Sequence, residues 1–153
     1  MTFAPGPKML SKRYGCSAVA LENPRRALIV SGRDGDNVNL NTTEVLDLDN
    51  AAGATKVGPT MATSRFACAA VRLDARRALV VGGYASLAAS SLDTTEVLDL
   101  ETMRFSAGPT MLSKRYECSA VALDAGRVLV AGGLDDNVNF LRTTEILDVA
   151  TMT

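Results

Sequence analysis

Histidine and tryptophan are missing from all 153 residues, and aromatic residues of any kind make up 5% of them. Without an imidazole, the Ser-His-Asp and Cys-His nucleophile systems have no base, and most zinc and copper sites lose a ligand. The sequence also has no Cys-x-x-Cys pair, no Gly-Lys-Ser/Thr phosphate loop and no paired-glycine dinucleotide fingerprint in a strand-to-helix setting. No sign of charge dominates: sixteen Lys and Arg stand against seventeen Asp and Glu, a net charge of −1. That balance gives no field to gather nucleic acid or an anionic membrane. The longest uncharged stretch, residues 78–92, is too short to cross a bilayer. Met1 to Lys8 has no apolar run of the signal-peptide kind, which makes the cytoplasm the expected address.

What is present is one paragraph of sequence written three times, over residues 1–51, 52–102 and 103–153 of a single array. Gly6-Pro7-Lys8-Met9, Gly58-Pro59-Thr60-Met61 and Gly108-Pro109-Thr110-Met111 open the copies. Arg13, Arg65 and Arg115 follow, spaced by 52 and then 50 residues, and Cys16, Cys68 and Cys118 stand three further on. Next come apolar runs that end at Ser31-Gly32, Gly82-Gly83 and Gly132-Gly133. Thr-Thr-Glu segments close each copy at Glu44, Glu96 and Glu145. A period near 50 means stacked supersecondary units that bury their apolar faces against neighbours. The cysteines, one per repeat, are too far apart to pair and are expected as buried free thiols.

Within a copy, four short apolar stretches separated by turn residues replace any helical period. In the third copy these are 103–107, 116–123, 128–131 and 143–149, a pattern that predicts a four-stranded antiparallel meander. Small residues such as Cys118, Ser119 and Ala120 suit the innermost strand, where neighbouring sheets converge. The fold class expected is therefore all-β, three four-stranded antiparallel blades of a β-propeller. Met1 to Met9 matches Met103 to Met111 residue for residue, and Thr151-Met152-Thr153 matches Thr102-Met103-Arg104. The array thus begins on an outer strand and stops before the next one. The expectation is a partial propeller or half of a six-bladed ring completed by a homodimer, because closed propellers have about four to eight blades.

An apolar strand ending in Gly-Gly, a loop, a strand bearing Glu and Asp, then Pro-Met followed by Arg resembles the kelch repeat over the whole chain. The usual outer-strand tryptophan is replaced by Phe3, Thr55 and Phe105, and the aromatic after Gly-Gly survives only as Tyr84, with Arg33 and Leu134 in the other copies. The resemblance implies a kelch-type propeller. Copper enzymes of the galactose-oxidase kind need histidine ligands that this chain lacks, so no cofactor or metal is expected. Asp34 to Asn39 offers oxygen ligands but misses the calcium-loop spacing, and reads as a solvated turn. Asn41-Thr42-Thr43 is a glycosylation sequon without a secretion signal.

Repeated carboxylates do not make an active site, which requires unlike groups converging on one point. Glu44, Glu96, Glu145, Asp47, Asp99 and Asp148 read as scaffold. In a four-stranded meander, the segment entering strand one and the loop between strands two and three emerge at the same end. That end collects the loops 33–41, 84–93 and 134–142, and loops on a rigid frame are where recognition resides. The candidate binding residues are Arg13, Arg33, Arg65, Tyr84, Arg115, Asp135, Phe140 and Arg142. Arginine's rigid fork suits carboxylates and acidic peptides. The alternative for Arg13, Arg65 and Arg115 is a scaffold pair with the nearby glutamate. The expected function is protein or peptide binding, with no nucleic-acid or membrane partner and no catalysis. The competing function is a fragment of a kelch-fold enzyme or carbohydrate-binding protein whose active blades lie elsewhere.

Overall fold

A computed structural model describes residues 1–21, 25–48, 55–85 and 90–153. The junction between the first two repeats and part of the loop 84–93 lie outside these residues. No helix occurs among them, and none is long or apolar enough to cross a membrane. The chain is all-β, built from separate antiparallel sheets that do not close on themselves.

The first sheet runs β1 (Ser17–Ala20), β2 (Arg26–Val30), β3 (Thr43–Asp47) and β4 (Thr55–Val57). In the second, β5 (Ala69–Arg72), β6 (Arg77–Val81), β9 (Thr95–Asp99) and β10 (Arg104–Ala107) lie in that order. A two-stranded ribbon, β7 (Tyr84–Ala85) with β8 (Ser90–Ser91), stands in its long loop. The third sheet has only three strands, β11 (Ser119–Asp124), β12 (Arg127–Ala131) and β13 (Thr144–Asp148). Each of the first two sheets takes its outer strand from the following repeat, so the third has a bare outer edge along β13. The repeat is exact in register: Leu28 faces Val45, Leu79 faces Val97 and Leu129 faces Ile146 across the central pair.

Strand alternation gives each sheet two faces, and the second sheet buries both. One side, with Cys68, Ala78, Val80 and Leu98, packs on Val19, Leu28 and Val30 of the first sheet. The other, with Ala69, Val71, Leu79 and Val81, packs on Val128, Val130 and Val149 of the third. Full burial of each such aliphatic side chain contributes about 1.5–3 kcal/mol, which makes these two seams the main source of cohesion. The outward face of the third sheet has no neighbouring sheet among the described residues: Val121, Leu123 and Ile146 are all about half exposed.

That asymmetry corrects the expectation of three buried thiols. Cys68 is buried, Cys118 is half-buried and Cys16 is exposed, because Cys16 occupies the slot of Cys68 on the sheet with no preceding neighbour. Burial pushes the Cys68 thiol up to about 11. The innermost strand of the third copy also begins later than the apolar pattern suggests, at Ser119. Glu117 adopts φ +53° and bends the chain before the ladder starts, as Ala67 (φ +53°) and Gly15 (φ +60°) do in the other copies.

Candidate functional site

The arginine that follows each Pro-Met segment turns inward. Arg65 Nη1 donates to the carbonyls of Gly82 (2.8 Å) and Thr94 (2.9 Å), its Nη2 to Thr94 Oγ1 (3.2 Å), and its Nε to Glu96 Oε1 (3.2 Å). Arg13 and Arg115 repeat the Nη1 bonds with the carbonyls of Ser31 and Thr42, and of Gly132 and Thr143, and reach Glu44 and Glu145 through Nη2. All three guanidinium side chains have 0% exposure. Each glutamate also accepts two backbone N–H bonds: Glu44 from Leu10 and Ser11, Glu96 from Ala62 and Thr63, Glu145 from Leu112 and Ser113. Burial alone would raise the Glu44 carboxyl, but the Leu10 and Ser11 N–H groups and the Arg13 charge outweigh it and lower it. Arg13, Arg65 and Arg115 therefore tie the incoming loop to the sheet, and no guanidinium surface of theirs is open to a ligand.

The next residue in each copy points the other way. Tyr14, Phe66 and Tyr116 exchange reciprocal backbone bonds of 2.8–3.1 Å with Arg33, Tyr84 and Leu134, the residues after each glycine pair. Six side chains thus alternate in an arc across the loop end. Neighbouring sheets touch through them: Tyr14 meets Phe66 edge-on at 5.1 Å between ring centroids, and Tyr84 meets Tyr116 at 5.4 Å. Arg33 lies over the Phe66 ring at 4.3 Å and is held there by its Nε donating to Asn39 Oδ1 (2.7 Å). Asn39, buried, donates its Nδ2 to the Tyr84 carbonyl of the next sheet (2.7 Å). The arc is pinned from below yet open above, with Tyr14 half exposed and Phe140, beside Leu134, 90% exposed.

Of the residues proposed from the sequence, Arg33, Tyr84 and Phe140 fall in this arc or at its edge. Arg142 is exposed at the end of the third loop. Asp135 closes its own loop: its Oδ1 accepts the N–H groups of Asn137 (2.8 Å) and Asn139 (2.9 Å), and its Oδ2 accepts from Asn139 Nδ2 (3.0 Å). These bonds hold its carboxyl below the usual range, the Asn139 side chain first. Asp34 closes the first loop in the same way through Asp36 and Val38, and Asn41 donates to the Met61 carbonyl (3.2 Å). Sequence reasoning passed over Tyr14, Phe66, Tyr116 and Asn39. The signal was the aromatic that follows every inward arginine, a position that the reading of Arg13, Arg65 and Arg115 did not weigh. No protein-family model matches the chain, and no curated protein matches it.

Proposed function

We propose that the three sheets are blades of a kelch-type propeller and that the chain is a non-enzymatic module holding a protein or peptide partner on its loop face. The observation that carries this reading is the arc of Tyr14, Arg33, Phe66, Tyr84 and Tyr116. Aromatic and arginine side chains anchored on a rigid frame are the groups that dominate protein interfaces, since they offer large contact area at small entropic cost. Arg33, with one edge on Asn39 and its plane on Phe66, and the exposed Arg142 give the face a preference for acidic peptide segments. The carboxylates repeated in each sheet support a binding role over a catalytic one. The glutamates are tied to the arginines, and Asp99 and Asp148 cap turns at Thr102 and Thr151.

Selection of displayed random peptides on the immobilised chain tests this reading. Enriched peptides that lose binding to Tyr84→Ala and Arg33→Ala, but keep it to Arg76→Ala at the opposite end, are the expected result. Enrichment that ignores both loop-face substitutions would contradict it.

A further inference from the structure

The seams between the sheets are stitched by a set of backbone bonds that recurs from one seam to the next. Gly32 N–H donates to the Arg65 carbonyl (3.1 Å), and Gly83 N–H to the Arg115 carbonyl (2.9 Å). Arg65 N–H donates to Leu40 (3.0 Å), and Arg115 N–H to Leu92 (3.1 Å). Ala67 N–H donates to Gly15 (2.9 Å), and Glu117 N–H to Ala67 (2.8 Å). Met61 N–H donates to Asn41 (2.9 Å), and Met111 N–H to Asp93 (2.8 Å).

The outward ends of the stack carry the two halves of a third such set. On the third sheet, the Gly133 N–H and the carbonyls of Leu141, Glu117 and Arg142 stand in the donor and acceptor positions, with no seam partner among the described residues. On the first sheet, the Arg13 carbonyl and the N–H groups of Arg13, Gly15 and Met9 are their complements, equally without one. The side chains agree. Val121, Leu123 and Ile146 correspond to Val71, Leu73 and Val97 on the buried face of the second sheet, and they are 48–57% exposed. Cys16 and Ile29 correspond to Cys68 and Val80 on its other buried face.

The outer edge repeats the match. Gly58 N–H donates to Thr43 and Gly108 N–H to Thr95, and each threonine hydroxyl donates to the next carbonyl, Pro59 (2.6 Å) and Pro109 (2.7 Å). The equivalent Thr144, on the bare edge of β13, is exposed and lines an open cleft of about 470 Å³. The segment that fits by sequence, Met1 to Gly6, is itself exposed, with Phe3 in the slot of the outer-strand Phe105.

From these paired vacancies we infer that the occupant of both ends is a second copy of this chain, each end sheet of one docking on the opposite end of the other. Two copies give six sheets, within the range of closed rings. Two identical seams related by a two-fold axis satisfy every group named above and cover the bare edge of β13. They also carry the aromatic arc onward, placing Tyr14 of the second copy beside Leu134. This inference rests on reading the sheets as propeller blades and is independent of what the loop face binds.

Light scattering after size exclusion on the full chain reads the mass, and timed thiol labelling of the native protein reads the seams. The expected result is twice the 16.1 kDa chain mass, with Cys16 protected nearly as well as Cys68. A charge on the outward face, Val121→Glu, should return the mass to one chain and expose Cys16, with Cys68 still protected and the strand circular dichroism unchanged. A single-chain mass in which Cys16 reacts and Cys68 does not would overturn the dimer and leave the stacked sheets intact. Equal, rapid labelling of both would overturn the stack itself. A doubled mass that Val121→Glu does not alter, or species larger than two copies, would overturn the proposed closure.

Discussion

Replacing Arg65 by methionine is the most informative single perturbation of the frame. It removes a guanidinium with 0% exposure whose bonds to the Gly82 and Thr94 carbonyls and to Glu96 are all shorter than about 3.3 Å. Methionine fills the volume but leaves Glu96 4% exposed, with the Ala62 and Thr63 N–H groups still facing its carboxyl group. Breaking a buried pair from one side costs about 3–5 kcal/mol, and the two surviving N–H bonds place this case near 3. That is a large part of the 5–15 kcal/mol that holds a typical domain together. Arg115→Met should cost less. Glu145 retains 12% side-chain exposure against 5% for Glu96, and Arg115 Nε has no partner among the described residues whereas Arg65 Nε does. Denaturant unfolding followed by circular dichroism at one protein concentration gives both values. Adding Glu96→Gln to Arg65→Met should recover part of the loss, since no buried charge is left alone. A loss below about 1 kcal/mol for Arg65→Met, or a larger loss for Arg115→Met, would refute the reasoning, because the buried-pair cost would then be absent or misplaced.

Three further outcomes are expected. Gly83 has φ +97°, and a Cβ there would sit 2.9 Å from Cys68 Cβ and 3.0 Å from the Phe66 carbonyl. Gly83→Ala should therefore cost about 1–3 kcal/mol in the same unfolding assay, while Gly35→Ala, with nothing within 4 Å, stays within about 0.5 kcal/mol. The Glu44 carboxyl is lowered from 4.5 in the folded chain. Its contribution is complete above that value and is lost as pH falls through the lowered one, so the thermal midpoint should hold to about pH 5 and then drop. Glu44→Gln should flatten that drop in a pH series of melts. At pH 8 the Cys68 thiol, pushed up to about 11 by burial, should label far more slowly than a free cysteine, as read by mass spectrometry of timed samples.

The all-β character and the antiparallel pairing within each copy were legible because apolar runs between glycine pairs and turn residues leave little freedom in where a strand can lie, whereas the ribbon of β7 and β8 was not. The loop end was legible for the same reason, since a meander sends alternate connections to opposite ends. The fate of individual side chains on that end was harder to read. Arg13 and Arg33 are both arginines near a loop, yet only the first has a Glu opposite it on the strand and two carbonyls within reach. That depends on cross-strand distance, which spacing along the chain does not encode. Tyr14, Phe66 and Tyr116 were missed because their ring contacts cross from one sheet to the next, which spacing along the chain does not encode. Cys16 was misjudged because burial in a stack belongs to the seam and not to the residue: the same slot is closed at Cys68 and open at the end sheet.

The binding face is tested most directly by mapping backbone amide shifts in a nuclear magnetic resonance titration with a peptide selected on the chain. The arc predicts perturbations at Tyr14, Arg33, Phe66, Tyr84 and Tyr116 and along 134–142, with those at Asp74, Arg127 and Asp148 unchanged. Shifts concentrated at the Asp74, Arg127 and Asp148 end, with the aromatic arc silent, would contradict the account.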